Sequence, residues 1–166
     1  MNIFIYDLDI KTNAQMHTDS HCIKMQLELA QMLSTTFRLL TNYDGDRVYK
    51  ATHQNHPSTQ WVRASYNNFK YALELYYALH DEWNTRYQHD KIHKSFEVVD
   101  YIADNLNQSH FKFIEHTPFA LAMPDIYKCS DAVKSYRDYF NGEKLHLAKW
   151  KNRNPPEWVN KNNGGD

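Results

Sequence analysis

Six polar side chains recur at helical spacing near the start of the chain: His17, His21, Lys24, Glu28, Gln31 and Thr35. Their separations of 4, 3, 4, 3 and 4 residues put all six in one narrow band of an α-helix. Within that band Lys24 and Glu28 stand one turn apart, an amine beside a carboxylate. In a desolvated pocket such a lysine loses its proton more readily and becomes a nucleophile or base. A glutamate whose pKa is raised by burial can act there as general acid or base. In open water the same pair is an ordinary i,i+4 ion pair, worth less than about half a kcal/mol. His21, three residues before Lys24, lies on the same band.

Three other groupings have chemical potential. His17 and His21 at i,i+4 match one half of a helical zinc site, and Asp19, Glu28, His53 or His56 could add a ligand. A metal-dependent hydrolase is therefore one alternative, although Lys24 at the centre of the band opposes a dication beside it. No metal or other cofactor is expected. His80-Asp81 is the doublet of metal phosphohydrolases, but alone it reads better as an exposed pair on a helix. The run His53-Gln54-Asn55-His56-Pro57-Ser58 stands directly before Trp61. It suits either an anion site at a helix start or a plain helix cap.

The C-terminal stretch from Lys144 to Lys161 carries Lys144, Lys149, Lys151, Arg153 and Lys161 against Glu157, a local balance of +4. Interleaved with Trp150 and Trp158, these charges suit a phosphate backbone with stacked bases. They equally suit a turn pinned to the core by two tryptophans, with the lysines in water.

Long helices must position these groups. Asn2 to Asp9 reads as a short extended segment in which Ile3 and Ile5 alternate with Phe4 and Tyr6. A first long helix is predicted from about Ala14 to Leu40, mostly apolar around its circumference and therefore buried on most sides. The band is then either its solvent strip, the lining of a cleft or a buried network. Asn42 to Asn55 is a polar loop containing Asp44-Gly45-Asp46. Pro57 opens a second long helix, to about Tyr87, with Trp61, Ser65, Asn68, Ala72, Leu75, Leu79 and Trp83 on one face. Shorter helices are predicted at 95–107, with Phe96, Val99, Ile102 and Leu106 inward, and at 125–140, capped by Asn141-Gly142. A last turn follows at 143–150, and His110 to Pro124 is an irregular segment over a cleft. The expected fold is all-α: a single domain over 1–150, a bundle of about four to five helices with the short extended N-terminal segment. A tail follows at 151–166, its end disordered.

Composition narrows the function classes. The chain has 166 residues, 42% hydrophobic, enough for one core. Only 4 glycines and 5 prolines favour long helices over a many-turned β architecture. A net charge of −1 argues against coating duplex DNA by bulk charge, while leaving room for a local basic patch. No apolar run approaches the length of a membrane span, and no secretory signal is expected. Two cysteines without a CxxC pair fit free thiols in a reducing cytoplasm.

Several segments, in matching order over most of the chain, resemble an uncharacterised family of small helical proteins encoded by tailed phages. They are His21-Cys22-Ile23-Lys24-Met25 with Glu28 and Gln31-Met32-Leu33-Ser34-Thr35; His56-Pro57 with Trp61; Ala122-Met123-Pro124-Asp125; and Lys144, His146, Ala148-Lys149-Trp150 and Pro156-Glu157-Trp158. The resemblance implies a bacteriophage protein in the host cytoplasm and brings no established activity. A fainter, fold-level likeness is to the phage pyrimidine-dimer DNA glycosylases, small helical enzymes with a catalytic acid on the first long helix. On that likeness Glu28 is the acid. Those enzymes use the amine of a threonine exposed by removal of the initiator methionine. Here residue 2 is Asn2, whose bulk should retain Met1, so Lys24 becomes the expected amine.

The resulting expectation is an enzyme that processes or modifies a pyrimidine base in DNA or a nucleotide, glycosylase-like. Lys24 is its nucleophile or base, Glu28 its acid/base, and His21 and His56 its orienting groups. His17, Gln31 and His53 complete the substrate-binding set, with Trp61 as a stacking wall and Lys149, Lys151 and Arg153 as phosphate contacts. The main alternative is a non-catalytic host-takeover or anti-defence protein holding a nucleotide or partner.

Overall fold

The computed structural model describes residues 1–161. Six α-helices carry the fold: α1 (Ile10–Met16), α2 (Asp19–Thr41), α3 (Pro57–Ala64), α4 (Tyr66–Tyr87), α5 (Phe96–Asn105) and α6 (Ala132–Tyr139). Short helical turns add to them, and there is no strand among the described residues. The all-α expectation holds, with more breaks than periodicity suggested.

Both long helices predicted from the sequence are split by a side-chain cap. Thr18 ends the first run: its backbone is extended, and its Oγ1 accepts the N–H of His21 at 3.4 Å to start α2. Asp9 likewise starts α1, accepting the Thr12 N–H at 2.9 Å. Ser65 splits the second run with φ −151° and ψ 161°, its Oγ accepting the N–H of Asn68 at 3.2 Å. A capping hydroxyl satisfies N–H groups that a helix start leaves without partners. The carbonyls of Phe113 and Ile114 take the next two, from Tyr66 and Asn67, at 3.0 Å each. That strap is the segment predicted as irregular.

The 125–140 helix is also shorter than expected. It begins as a single turn at Asp125–Tyr127, then continues as α6. Asn141-Gly142 does not cap it. A wider, π-helical turn runs on through Phe140–Lys144, and no glycine among the described residues has a positive φ. Gly142 serves close approach instead, because a Cβ there would collide with the Tyr127 ring.

α2 lies centrally, packed on α4, α3 and α5, while α1 packs on α4. The predicted inward residues Ser65, Asn68, Ala72, Leu75, Leu79, Val99 and Ile102 are buried. The N-terminal segment is buried on both faces: Ile3, Phe4, Ile5 and Tyr6 all belong to the core. With no strand beside it, its backbone needs side-chain partners. Asn13 supplies them, accepting the Tyr6 N–H at 2.8 Å and donating to the Phe4 carbonyl at 3.1 Å.

The residues after 150 are packed on the body as far as they are described. Trp158 packs at a tilt against Tyr6, ring centroids 5.1 Å apart, and Asn141 donates to its carbonyl at 2.9 Å. The Trp150 indole N–H donates to the Met16 carbonyl at 3.0 Å. The two-tryptophan pin is therefore realised; the predicted disorder of the tail's end falls on 162–166, outside the described residues. Beneath the tail, fully buried Arg86 donates to Glu82 at 2.7 Å, Asp19 at 3.1 Å and the Gln15 carbonyl at 2.8 Å, joining α4, α2 and α1. Arg38 does similar work for the 42–50 loop, donating to the carbonyls of Tyr43, Gly45, Val48 and Tyr49.

Candidate functional site

The predicted polar band, which begins at His17 at the end of α1 and continues along α2, is not a solvent strip. His17, His21, Glu28 and Thr35 are buried, Gln31 is half-buried and only Lys24 is exposed. The face turned to water runs instead through Ser20, Ile23, Lys24 and Leu27. Glu28 sits at the edge where this face meets the core, and a hollow of about 180 Å³ opens beside it. Its walls include Met1, Asn2, His21, Lys24, Tyr139 and Lys144.

Two amines flank the Glu28 carboxylate. Lys24 Nζ lies 3.6 Å from Oε1, and the α-ammonium of Met1 lies 3.5 Å from Oε2. The Asn2 N–H also donates to Oε2, at 3.1 Å. Asn2 fixes this arrangement through its amide. It donates to the Ala122 carbonyl at 2.8 Å and accepts from the Ile3 N–H at 2.8 Å and the Tyr136 hydroxyl at 3.0 Å. The loop before α6, α6 itself and the N-terminal segment thus meet at one side chain.

Burial keeps the two deepest imidazoles of the band, His21 and His17, neutral. His21 stacks on Phe4 at 4.6 Å, and burial, aided by repulsion between its charged form and the neighbouring His17 and Lys24, lowers its pKa to about 3. Its Nδ1 is buried without a hydrogen-bond partner. His17 is deeper: burial lowers it to about 4, and its Nδ1–H donates to the Asn13 carbonyl at 2.8 Å. His56 caps α3, its Nδ1 accepting the Ser58 N–H at 3.1 Å. Burial first, then the nearby N-terminal ammonium, depress its pKa. His53 is exposed at φ 47°, bonded to Thr52 Oγ1 at 2.8 Å. Buried neutral imidazoles can orient or exchange a hydrogen bond but do not hold a positive charge near neutral pH.

The remaining predicted residues are elsewhere. Trp61 is buried against Tyr71, His116 and Phe119, its N–H donating to the Thr117 carbonyl at 3.4 Å, so no base can stack on it as it stands. Arg153 is committed to Glu82 through two bonds of 2.9 and 2.8 Å. Burial would raise the pKa of Glu82, yet the hydrogen bonds from Arg153 and Arg86 outweigh it and hold the carboxyl below its ordinary range. Lys149 is exposed beside a second hollow near the start of α2, and Lys151 lies over the Tyr87 ring at 5.0 Å. His80 is buried against Phe96 while Asp81 is exposed, so the doublet does not act as a unit. Among the described residues no three His, Cys, Asp or Glu side chains gather closely enough to hold a metal ion.

Spacing missed the Met1 amine, Asn2, Tyr139 and Lys144. The one available signal was Asn2 itself, a polar residue leading an otherwise apolar segment. Chemically the hollow offers a buried carboxylate, two amines within reach of it, a neutral imidazole and a second lysine at the rim. No helix among the described residues is long and apolar enough to cross a membrane. No protein-family model, no curated protein and no solved structure matches this chain.

Proposed function

We propose that the chain is a phage-type enzyme of nucleic-acid metabolism, acting in the host cytoplasm on a pyrimidine base in DNA or a nucleotide through an amine–carboxylate pair. The observation that carries this reading is the Glu28 carboxylate held inside a hollow with amines at 3.5 and 3.6 Å. A volume of about 180 Å³ is below the ~300–1,000 Å³ of typical ligand sites, so it suits the reacting part of a larger ligand. An unprotonated amine there attacks C1′ of the nucleoside. The C1′–N1 bond breaks, and its electron pair leaves with the base, which takes up the amine's proton. Opening of the sugar then moves the remaining N–H proton to the ring oxygen and leaves an imine, with Glu28 as the carrier. A base within a duplex has to be flipped out first.

Borohydride trapping tests this directly. A reduced adduct with pyrimidine-containing DNA or nucleotide is expected, and peptide mapping identifies Lys24 or the Met1 amine as its site. Lys24→Ala separates the two amines, and Glu28→Gln is expected to lower the trapped yield by about 100-fold or more, the usual scale for losing a general acid–base group. Absence of any adduct, with unchanged activity in Lys24→Ala, removes the Lys24 mechanism. One observation favours the non-catalytic alternative: Oε2 of Glu28 already accepts a backbone N–H. In that case a nucleotide panel raises the melting temperature selectively and no turnover follows.

A further inference from the structure

The water-facing strip of α2 borders three hollows. Ile23 lines the hollow with Tyr87, His146 and Lys149. Lys24 lines the Glu28 hollow with Lys144. Leu27 lines a third, of about 620 Å³, with Tyr49, Trp83, Ile92 and Lys94. This strip carries apolar side chains where a helix normally meets water with charge. Ile23 and Leu27 are 39% and 40% exposed, and Ile92 beside them is 68% exposed.

The charges around the strip are mostly positive. Lys24, Lys91, Lys94, Lys144, Lys149 and Lys151 line the three hollows or cover a ring that does. The acids are Asp19 and Glu28, held by Arg86 and the N-terminal ammonium, and Asp90 and Glu143, sequence neighbours of Lys91 and Lys144. The chain as a whole carries −1, so this face is positive on a slightly negative molecule. Rings and aliphatic side chains between lysines fit an extended polyanion that bears flat apolar groups.

We infer that this strip is the docking track for a single-stranded segment of nucleic acid, running from Lys149 and Lys151 past Lys24 to Lys91 and Lys94, with its bases against Tyr87, Trp83 and Ile92. The inference rests on the reading of the Glu28 hollow as a nucleic-acid site: a strand on this track passes the mouth of that hollow and presents one nucleotide to it. A closed duplex keeps its bases stacked and cannot use the rings.

Fluorescence polarisation with the full chain tests it. The probe is a labelled oligothymidylate of about twelve nucleotides, within the ~4–16 that such a site spans. Expected are binding that weakens with salt by roughly 0.7 log unit per phosphate neutralised, per log unit of salt, and weaker binding of the same length of duplex. Charge reversal at either end, Lys91→Glu with Lys94→Glu or Lys149→Glu, is expected to weaken binding by about tenfold or more, the scale of losing one to two phosphate contacts. These exposed positions leave the core untouched, and an unchanged melting curve checks each variant. No binding at low salt, equal affinity for duplex, or indifference to both reversals overturns the track and leaves the face to a protein partner. Oligonucleotide binding without a borohydride adduct keeps the track and removes the chemistry. An adduct with a free nucleotide, without oligonucleotide binding, does the reverse.

Discussion

At Asn2 the candidate site and the fold depend on the same atoms. Its amide accepts from Tyr136 and Ile3 and donates to Ala122, and its own N–H reaches Glu28. Asn2→Ala removes the side-chain partners of buried groups, at a cost of about 1–3 kcal/mol. Chemical denaturation is expected to show that loss, and any trapped yield falls with it because residue 1 is released. A fully stable variant would separate Asn2 from the site. His17 sets a second expectation. Its pKa is about 4 in the folded chain against an ordinary 6.5, so the unfolded chain binds the extra proton. Stability is therefore complete above pH 6.5 and declines as pH falls toward 4, by up to ~3 kcal/mol from this residue. Burial drives His21 in the same direction. A melting temperature that stays flat between pH 7 and pH 5 would contradict the burial of both rings. Glu28, Lys24 and His21 were legible because all three lie on one helix, where spacing alone brings them together. The Met1 amine and Lys144 were not, because only the fold carries segments so distant in sequence to the same carboxylate.

At the scale of elements, periodicity found the helical content and its inward faces but not the breaks. Trp61, Ser65, Asn68 and Ala72 stay in phase across Ser65, so the pattern runs through a break that changes direction without changing register. Thr18 hides in the same way between His17 and His21. A cap is written in one hydroxyl, and that hydroxyl is equally acceptable within a helix. Ser65→Ala is expected to cost about 1 kcal/mol in urea unfolding. Asn68→Ala is expected to cost more, since its amide joins the Trp61 carbonyl, at 2.8 Å, to the Thr117 backbone and hydroxyl. Equal losses would show that the strap over α4 contributes nothing. The failure of the Gly142 cap has a similar cause: the sequence shows a glycine but not the Tyr127 ring that needs the space.

For the whole molecule, the ion network around Arg86 is the central tie. Arg86 bonds Glu82, Asp19 and Gln15, while Arg153 brings the C-terminal stretch to the same glutamate. Arg86→Met leaves Glu82 buried with only Arg153, and a loss of about 3–5 kcal/mol is expected in equilibrium unfolding. A loss under about 1 kcal/mol would mean that the network is dispensable. The basic C-terminal composition was visible in the sequence, yet its division of labour was not. Arg153 holds the fold, while Lys149 and Lys151 remain toward water.

The packing of Trp158 on Tyr6, with Arg137 bonded to the Tyr6 carbonyl at 2.9 and 2.7 Å, also orders events in time. Residues far apart along the chain enclose one another, and the earlier segment waits for the later one. Ile3 to Tyr6 therefore lack this cover until the segment around Trp158 is in place, and contacts of such long range close slowly. A ribosome stalled before Trp158 would carry a nascent chain in which Ile3 to Tyr6 stay open to protease or chaperone, and emergence of the Trp158 segment would shut them in.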